Sequence, residues 1–218
     1  MIKLNANCIL LLLVFLSCKS NPQLTDVEKS KIQNTLKKLV VIDQIAASPR
    51  SGKYEKYSRE QWRKFQDSVF NDNRLIVGKL YKQYGFLGPN KVGEESSEDF
   101  WLLVQHFDKF PQFQKRVLRS MDKEAKKGNV SLMSYAYLYD RVNANSGKKQ
   151  LFGTQVIYQD NGKAVVKNGL KDSANVDVTR KRYELEPLKE YLNFMTQRHF
   201  EMNKEFYLKK GIKFPQLY

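Results

Sequence analysis

Apolar residues recur every three or four positions through most of this chain, which is the spacing of amphipathic helices with one buried face. This pattern predicts helices over residues 26–46, 58–84, 96–107, 111–128, 131–142 and 187–195. The segment 131–142 is apolar around nearly its whole circumference. We therefore expect that helix to be buried inside the domain.

Start signals support several of these helices. Thr25, Ser58 and Ser131 are good N-cap residues, because a side-chain oxygen can accept from the free N–H groups of the first turn. Ser96 and Asp99 have the spacing of a capping box, which predicts a helix start at Ser96. The cluster Asn71-Asp72-Asn73 is expected to interrupt or bend the second helix, since these side chains compete for backbone hydrogen bonds.

After Gly147 the apolar residues follow the spacing of a strand. Two strand-like segments, 151–158 and 163–167, flank Asp160-Asn161-Gly162, and Asn-Gly between such segments is a strong hairpin signal. We therefore predict a mainly α fold: a single helical domain over residues 24–218 with one β-hairpin near 151–167, a minor α+β component.

The first residues have the pattern of a secretory signal peptide. Lys3 is the only early charge, and the apolar run from Cys8 to Leu16 is about half the ~20 residues that a membrane-spanning helix needs. The ending Phe15-Leu16-Ser17-Cys18 resembles a bacterial lipobox. The alternative is an ordinary signal peptide with an incidental cysteine.

The lipobox resemblance implies a processed and acylated protein. Residues 1–17 would be the lipoprotein signal peptide, Cys18 the site of lipid (palmitate) attachment, and 18–23 a short tether. The protein would then be exported and lipid-anchored to a bacterial cell-envelope membrane, so the membrane itself is an expected partner. Processing would leave Cys18 as the sole cysteine, which excludes disulfides and cysteine-ligated zinc within the chain.

Composition and charge limit the classes of partner that we expect this protein to bind. At 218 residues and 41% hydrophobic content, the chain can bury one core. The net charge of +15 would suggest nucleic acid in a cytosolic protein, but the basic residues are scattered and form no RNA-binding motif. We expect no nucleic-acid partner. The charge fits either a solvated basic surface or attraction to an anionic envelope surface.

Polar residues that stand among apolar ones mark a candidate site, because a buried polar group is costly unless it has a partner. The candidates for ligand binding or catalysis are Asp43, Gln44, Gln105, His106, Asp108, Asp140, Arg141, Gln150, Thr154 and Gln155.

Two of the candidates suit proton transfer. His106 has the side chain that titrates nearest neutral pH, and Asp140 or Asp43 could orient it. Asp108 is a poor partner within one helix, since residues two apart point in different directions. The alternative is a histidine hydrogen-bonded into the structure.

Asp140-Arg141 could form a base and an anion clamp, because a guanidinium fork suits a carboxylate or a phosphate. The alternative is a buried ion-pair network in which Arg141 pairs with Asp108 or Asp43. The glutamines could bind a sugar or a peptide, or they could satisfy backbone groups.

Several kinds of site are not indicated. The chain has no His-x-x-x-His or His-Glu-x-x-His spacing, no Gly-x-Ser-x-Gly elbow and no phosphate loop at Gly153-Thr154. We therefore expect no metal and no cofactor.

Three blocks of sequence carry a family resemblance: Trp101-Leu102-x-Val104-Gln105-His106-x-Asp108, Tyr137-Leu138-x-Asp140-Arg141, and Gln150-x-x-Gly153-Thr154-Gln155. Together they resemble a bacterial domain family of unknown function, over most of Val40 to Tyr191. Asp43-Gln44, Arg182 and Leu185-x-Pro187-Leu188 match its remaining features. The resemblance implies no activity.

From the residues we expect a binding or interaction lipoprotein with a polar pocket for a small polar or anionic ligand. The alternative is an envelope hydrolase or lyase that uses His106 and Asp140.

Overall fold

A computed structural model describes residues 24–218. The predicted signal peptide, Cys18 and the tether lie outside the described residues. The helices are α1 (Asp26–Ala47), α2 (Arg59–Tyr84), α3 (Pro89–Val92), α4 (Glu94–Gln105), α5 (Pro111–Ala125), α6 (Leu132–Ala144), α7 (Val176–Arg182), α8 (Leu188–Met202) and α9 (Lys204–Lys209). A short 3-10 turn covers Gly52–Tyr54, and the strands are β1 (Val156–Tyr158) and β2 (Ala164–Val166). The prediction of a mainly helical fold with one hairpin is confirmed.

Capping residues set the starts of the two longest helices. The Thr25 hydroxyl accepts from Glu28 N at 3.3 Å while the Glu28 carboxylate accepts from Thr25 N at 3.0 Å. Ser58 and Gln61 form the same reciprocal pair before α2. Each pair satisfies two of the backbone N–H groups that a helix start leaves free.

Two local predictions are wrong. Helix α2 runs without a break through Asn71-Asp72-Asn73 because the buried Asn73 side chain donates to Asp43 in α1, at 3.2 Å, instead of bonding its own backbone. Helix α4 begins at Glu94, directly after Gly93, so Ser96 lies inside the helix rather than at its cap. Gly93 has φ +80°, a conformation that glycine adopts without steric cost, and this favours the earlier start.

The main core lies among α1, α2, α4, α5 and α6. Its fully buried side chains include Leu36, Val77, Leu87, Phe100, Leu103, Val104, Phe107, Val117, Met121 and Leu138. Helix α6 also supplies Ala136 to a second cluster with Phe152 and Leu185. It thus contacts the core on one side and the C-terminal third of the chain on the other. The prediction that 131–142 is buried holds for Ser134, Ala136, Leu138, Asp140 and Val142, whereas Met133 is 41% exposed.

The hairpin is short and docks on α8. β1 and β2 pair antiparallel with Val156 opposite Val166 and Tyr158 opposite Ala164. Ala164 N donates to the buried Thr196 hydroxyl of α8 at 3.0 Å. Among the helices of residues 24–218, none is both long and apolar enough to cross a bilayer.

One histidine joins the hairpin to the C-terminal helices. The ring of His199 in α8 stacks on Tyr158 of β1 with centroids 3.6 Å apart, and its Nε2 lies 2.9 Å from the Tyr207 hydroxyl of α9. Burial lowers the pKa of His199 below its usual 6.5. The native protein therefore favours the neutral imidazole.

This pKa shift predicts a pH dependence of stability. As pH falls through 6.5, the unfolded chain takes up a proton before the folded chain does, so the free energy of unfolding falls. Between about pH 8 and about pH 5.5, the thermal midpoint of the wild type should drop more steeply than that of His199→Gln. Equal slopes in the two proteins would contradict this prediction.

Candidate functional site

Asp140 lies on α6 and holds the segment that leads into the hairpin. Its carboxylate, which has no solvent exposure, accepts from Leu151 N at 2.8 Å and from Thr154 N at 3.0 Å, and Phe152 N lies 3.2 Å from Oδ2. The Thr154 hydroxyl donates at 3.1 Å. The side chain thus fixes a tight loop by accepting from three of its backbone N–H groups.

The pKa of the Asp140 carboxyl lies above its ordinary value. Burial raises the pKa of the Asp140 carboxyl, and hydrogen bonds from Thr154, Leu151 and Phe152 oppose the rise. Gly153 permits the loop, since its φ is +75° and a Cβ there would lie 2.9 Å from Leu188 Cδ1. The geometry assigns Asp140 to loop support, with both oxygens engaged.

Arg180 of α7 completes the same loop from the other side. Its guanidinium is fully buried and donates to Phe152 O and to Glu186 O, each at 2.6 Å. It also lies over the Tyr191 ring, 5.0 Å from the centroid. Burial lowers the pKa of Arg180, and the nearest carboxylate oxygen, on Glu186, is 3.9 Å away. Phe152 thus binds Asp140 through its N–H and Arg180 through its carbonyl.

Gln150 forms the base of the hairpin. Its buried side chain donates to Gln155 O at 2.7 Å and to Lys167 O at 2.6 Å, and it accepts from Gln155 N at 2.9 Å. These bonds replace the ladder that a longer pair of strands would provide. The buried Gln150 side chain therefore has a structural role, which is to hold the two ends of the hairpin together.

Arg141 is paired with Asp108 across the end of α4. Two parallel bonds, Nε to Oδ1 at 2.8 Å and Nη2 to Oδ2 at 2.7 Å, make a bidentate ion pair. Asn145 also donates to Asp108 Oδ1, at 2.9 Å. The Arg141 side chain is 25% exposed and that of Asp108 is 44% exposed. Of the two partners that the sequence leaves open for Arg141, the structure selects Asp108.

His106 is paired with Asp43 of α1. The imidazole Nδ1 lies 2.5 Å from Asp43 Oδ2, and Asp43 has no exposed surface while the His106 side chain is 19% exposed. Asn73 and Gln44 also donate to Asp43, each at 3.2 Å. The Phe70 ring lies 5.5 Å from the imidazole. Within residues 24–218 the imidazole Nε2 forms no hydrogen bond, so Nδ1 is the ring nitrogen that the fold uses.

Two buried glutamines form hydrogen bonds near the C-terminal end of α4. With its amide turned to suit its neighbours, the Gln105 oxygen accepts from Trp101 Nε1 at 2.9 Å and from Leu138 N at 3.2 Å. Gln114 of α5 donates to Val104 O at 3.1 Å and to Gln105 O at 3.2 Å. Gln114 thus satisfies carbonyls that the end of α4 leaves unpaired, while Gln105 binds Trp101 of its own helix and connects α4 to the middle of α6.

Several polar side chains of the three sequence blocks, together with Gln44 of α1, are exposed or partly exposed, and we call this set the polar strip. We define the strip by the residues Gln44, His106, Asp108, Arg141, Asn145, Lys167 and Gln155. Its links include Lys167 Nζ to Asn145 Oδ1, at 3.2 Å, and Lys167 N to Gln155 O, at 2.9 Å. Hydrogen bonds connect Asp108, α6 and the hairpin in one group, and Gln44 and His106 in a second group through Asp43.

The structure does not join His106 and Asp140 through shared hydrogen bonds. His106 belongs to the network of α1 and α2, whereas Asp140 belongs to the loop 151–154. Of the two partners that the sequence allows for His106, the structure selects Asp43. Within residues 24–218 no group of three or more His, Cys, Asp or Glu side chains is arranged to hold a metal ion.

Sequence reasoning missed Asn73, Gln114 and Arg180. Asn73 was assigned to a helix break, and Arg180 stands in a basic segment that is typical of a solvated surface. Gln114 did carry a usable signal, since it follows the buried Phe113 in an amphipathic pattern. Arg180 carried none, because its partners are backbone carbonyls.

Substituting Asp140→Asn tests the role of this carboxylate in the loop. The amide would turn a donor toward backbone N–H groups that now find an acceptor, and we expect a loss of roughly 2–4 kcal/mol in the free energy of unfolding. The thermal midpoint should fall by about 5–15 °C, measured by circular dichroism. The exposed Asp160→Asn in the hairpin turn is the matched control and should change little. An Asp140→Asn protein as stable as wild type would show that the loop does not depend on this carboxylate.

Comparisons with known proteins place the chain in a family but give no activity. Searches of curated proteins and of solved structures gave no significant match. Residues 66–201, more than half of the chain, match a family of unknown function, DUF6624. The three sequence blocks fall inside this range, whereas Asp43 and Gln44 precede it. The expectation of an uncharacterised domain family is confirmed: this chain belongs to the DUF6624 family.

Proposed function

We propose that this protein is an exported lipoprotein, anchored through Cys18 to a cell-envelope membrane, whose helical domain binds a small polar or anionic ligand on the polar strip. The observation that carries the binding role is the His106–Asp43 pair. A buried carboxylate fixes Nδ1 of an imidazole that keeps 19% of its side chain exposed. An orientation fixed in this way reduces the entropy lost when a ligand binds.

The neighbouring groups fit such a ligand. The Arg141 guanidinium forms a bidentate pair with Asp108 through Nε and Nη2, and its side chain remains partly exposed. The part of the guanidinium that is not paired can still attract negative charge. Gln44, which is exposed, and Gln155, which is partly exposed, add amide donors and acceptors from the two ends of the strip. These groups suit hydroxyl, carboxylate or phosphate oxygens.

A second candidate function is proton transfer by an envelope hydrolase or lyase. The same pair favours it, because an aspartate that orients Nδ1–H leaves Nε2 able to take a proton from a substrate or from water. In this version Asp43 takes the orienting role and Asp140 supports the fold. A ligand of the strip that His106→Gln still binds but no longer converts would favour the enzyme.

Cys18→Ala tests the membrane anchor. Without a thiol at this position no acyl chain can be attached, so the protein should move from the membrane fraction to the soluble fraction of cells. Immunoblots of the two fractions measure the change. Ser17→Thr, which keeps the cysteine, is the control. Unchanged partitioning of Cys18→Ala would rule out the lipobox.

A thermal-shift screen of envelope glycans, peptides, nucleotides and divalent ions tests the strip. A true ligand should raise the thermal midpoint of the wild type by mass action. His106→Gln and Arg141→Gln should lose most of that rise, whereas the exposed Arg59→Gln on α2 should keep it. A rise that persists in both strip variants would place the ligand elsewhere and contradict the proposed site.

A further inference from the structure

A second surface has the chemistry of an anion site and lies apart from the polar strip. It is a cleft of about 400 Å³ between α2 and α5. Its lining residues are Arg74, Leu75, Gly78, Lys79, Tyr81, Lys82, Phe113 and Arg116. Four of these side chains are cationic and none is acidic, so the cleft concentrates positive charge beyond the general basicity of the chain.

The cations of this cleft have neither a carboxylate partner nor a side-chain hydrogen bond in the described part of the chain. Within residues 24–218, no carboxylate lies within salt-bridge distance of Arg74, Lys79, Lys82 or Arg116, and none of their side chains donates a hydrogen bond. The Nε of Arg74 is buried and has no partner among these residues. A buried donor left unpaired costs about 1–3 kcal/mol.

Aromatic rings hold the two arginines in place. The Arg74 guanidinium lies 4.9 Å from the centroid of Phe110 and 5.7 Å from that of Phe113. The Arg116 guanidinium lies 5.6 Å from the same Phe113 ring. Phe113 is only 3% exposed, so its position is fixed by the core. Two like charges therefore lie beside one ring in the lining of the cleft, and neither is neutralised by a carboxylate within residues 24–218.

We propose that this cleft binds a phosphate group carried by an organic molecule. Guanidinium forks match phosphate oxygens in pairs, and Lys79 and Lys82 add charge at the rim. The volume exceeds that of a bare phosphate, and Leu75 and Tyr81 offer an apolar wall for the rest of the ligand. The phosphate can belong to a soluble phosphate ester or to the headgroup of a lipid.

Titration calorimetry of the purified full chain with inorganic pyrophosphate, at low salt, tests the site. The wild type should bind, and Arg74→Gln or Arg116→Gln should weaken binding by roughly tenfold or more, as expected when a charge-assisted pair is lost. Arg119→Gln, on an exposed turn of the same α5, is the matched control and should bind nearly as the wild type does.

A second variant tests whether binding needs the open space of the cleft, without removing any charge from it. Gly78 lies inside α2, and the nearest atom to a Cβ built there is Arg74 Nη1 at 4.0 Å. Gly78→Leu should keep or raise stability, since leucine favours a helix more than glycine does, yet its side chain should fill the cleft and abolish binding. His106→Gln should bind pyrophosphate as the wild type does, which separates this site from the polar strip.

Vesicles of phosphatidylcholine with phosphatidylglycerol form the second arm, read by co-sedimentation. One supporting outcome is vesicle binding without pyrophosphate binding. In that outcome Arg116→Gln and Gly78→Leu should abolish vesicle binding and Arg119→Gln should retain it, which assigns the phosphate to lipid. Equal weakening by Arg116→Gln and Arg119→Gln shows diffuse attraction and overturns the proposal. Absence of binding to both probes also overturns it.

Discussion

The buried carboxylate of Asp140 is the contact on which the C-terminal third of the fold depends. It accepts hydrogen bonds from the N–H groups of residues 151, 152 and 154 and so holds this loop against α6. The carbonyl of Phe152 accepts a hydrogen bond from Arg180. A buried anion and a buried cation are thus linked through one peptide group and never touch. Each is costly to bury alone, and the loop between them gives hydrogen bonds to both, while Arg180 Nη2 is buried without one.

This arrangement divides the polar residues into two groups with different roles. Asp140, Gln150 and Gln105 are buried and meet backbone donors or acceptors, so they specify how helices, loop and hairpin join. His106 and Arg141 are fixed by carboxylates but keep part of their surface exposed. The second group can meet a ligand without loss of a structural bond. The cleft between α2 and α5 adds four cations that form no salt bridge and no side-chain hydrogen bond within residues 24–218.

Much of the architecture was predictable because local patterns carry it. The caps Thr25 and Ser58, the apolar circumference of α6 and the Asn-Gly turn each act within a few residues of their own position. The start of α4 was mispredicted because Gly93 allows the helix to begin earlier, and the continuity of α2 because Asn73 finds its partner in another helix. A side chain satisfied by a distant group no longer competes for its own backbone.

The sequence by itself determined the helical class, the hairpin, and which polar residues needed an explanation. The tertiary structure alone decided their partners: Asp43 for His106, Asp108 for Arg141, and the loop 151–154 for Asp140. It also brought two arginines from α2 and α5 onto one phenylalanine. Periodicity reports which face of an element is buried, but ion pairs and hydrogen bonds join residues 11 to 63 positions apart. Those pairings exist only after the chain has folded, since chain closure and packing bring the groups together.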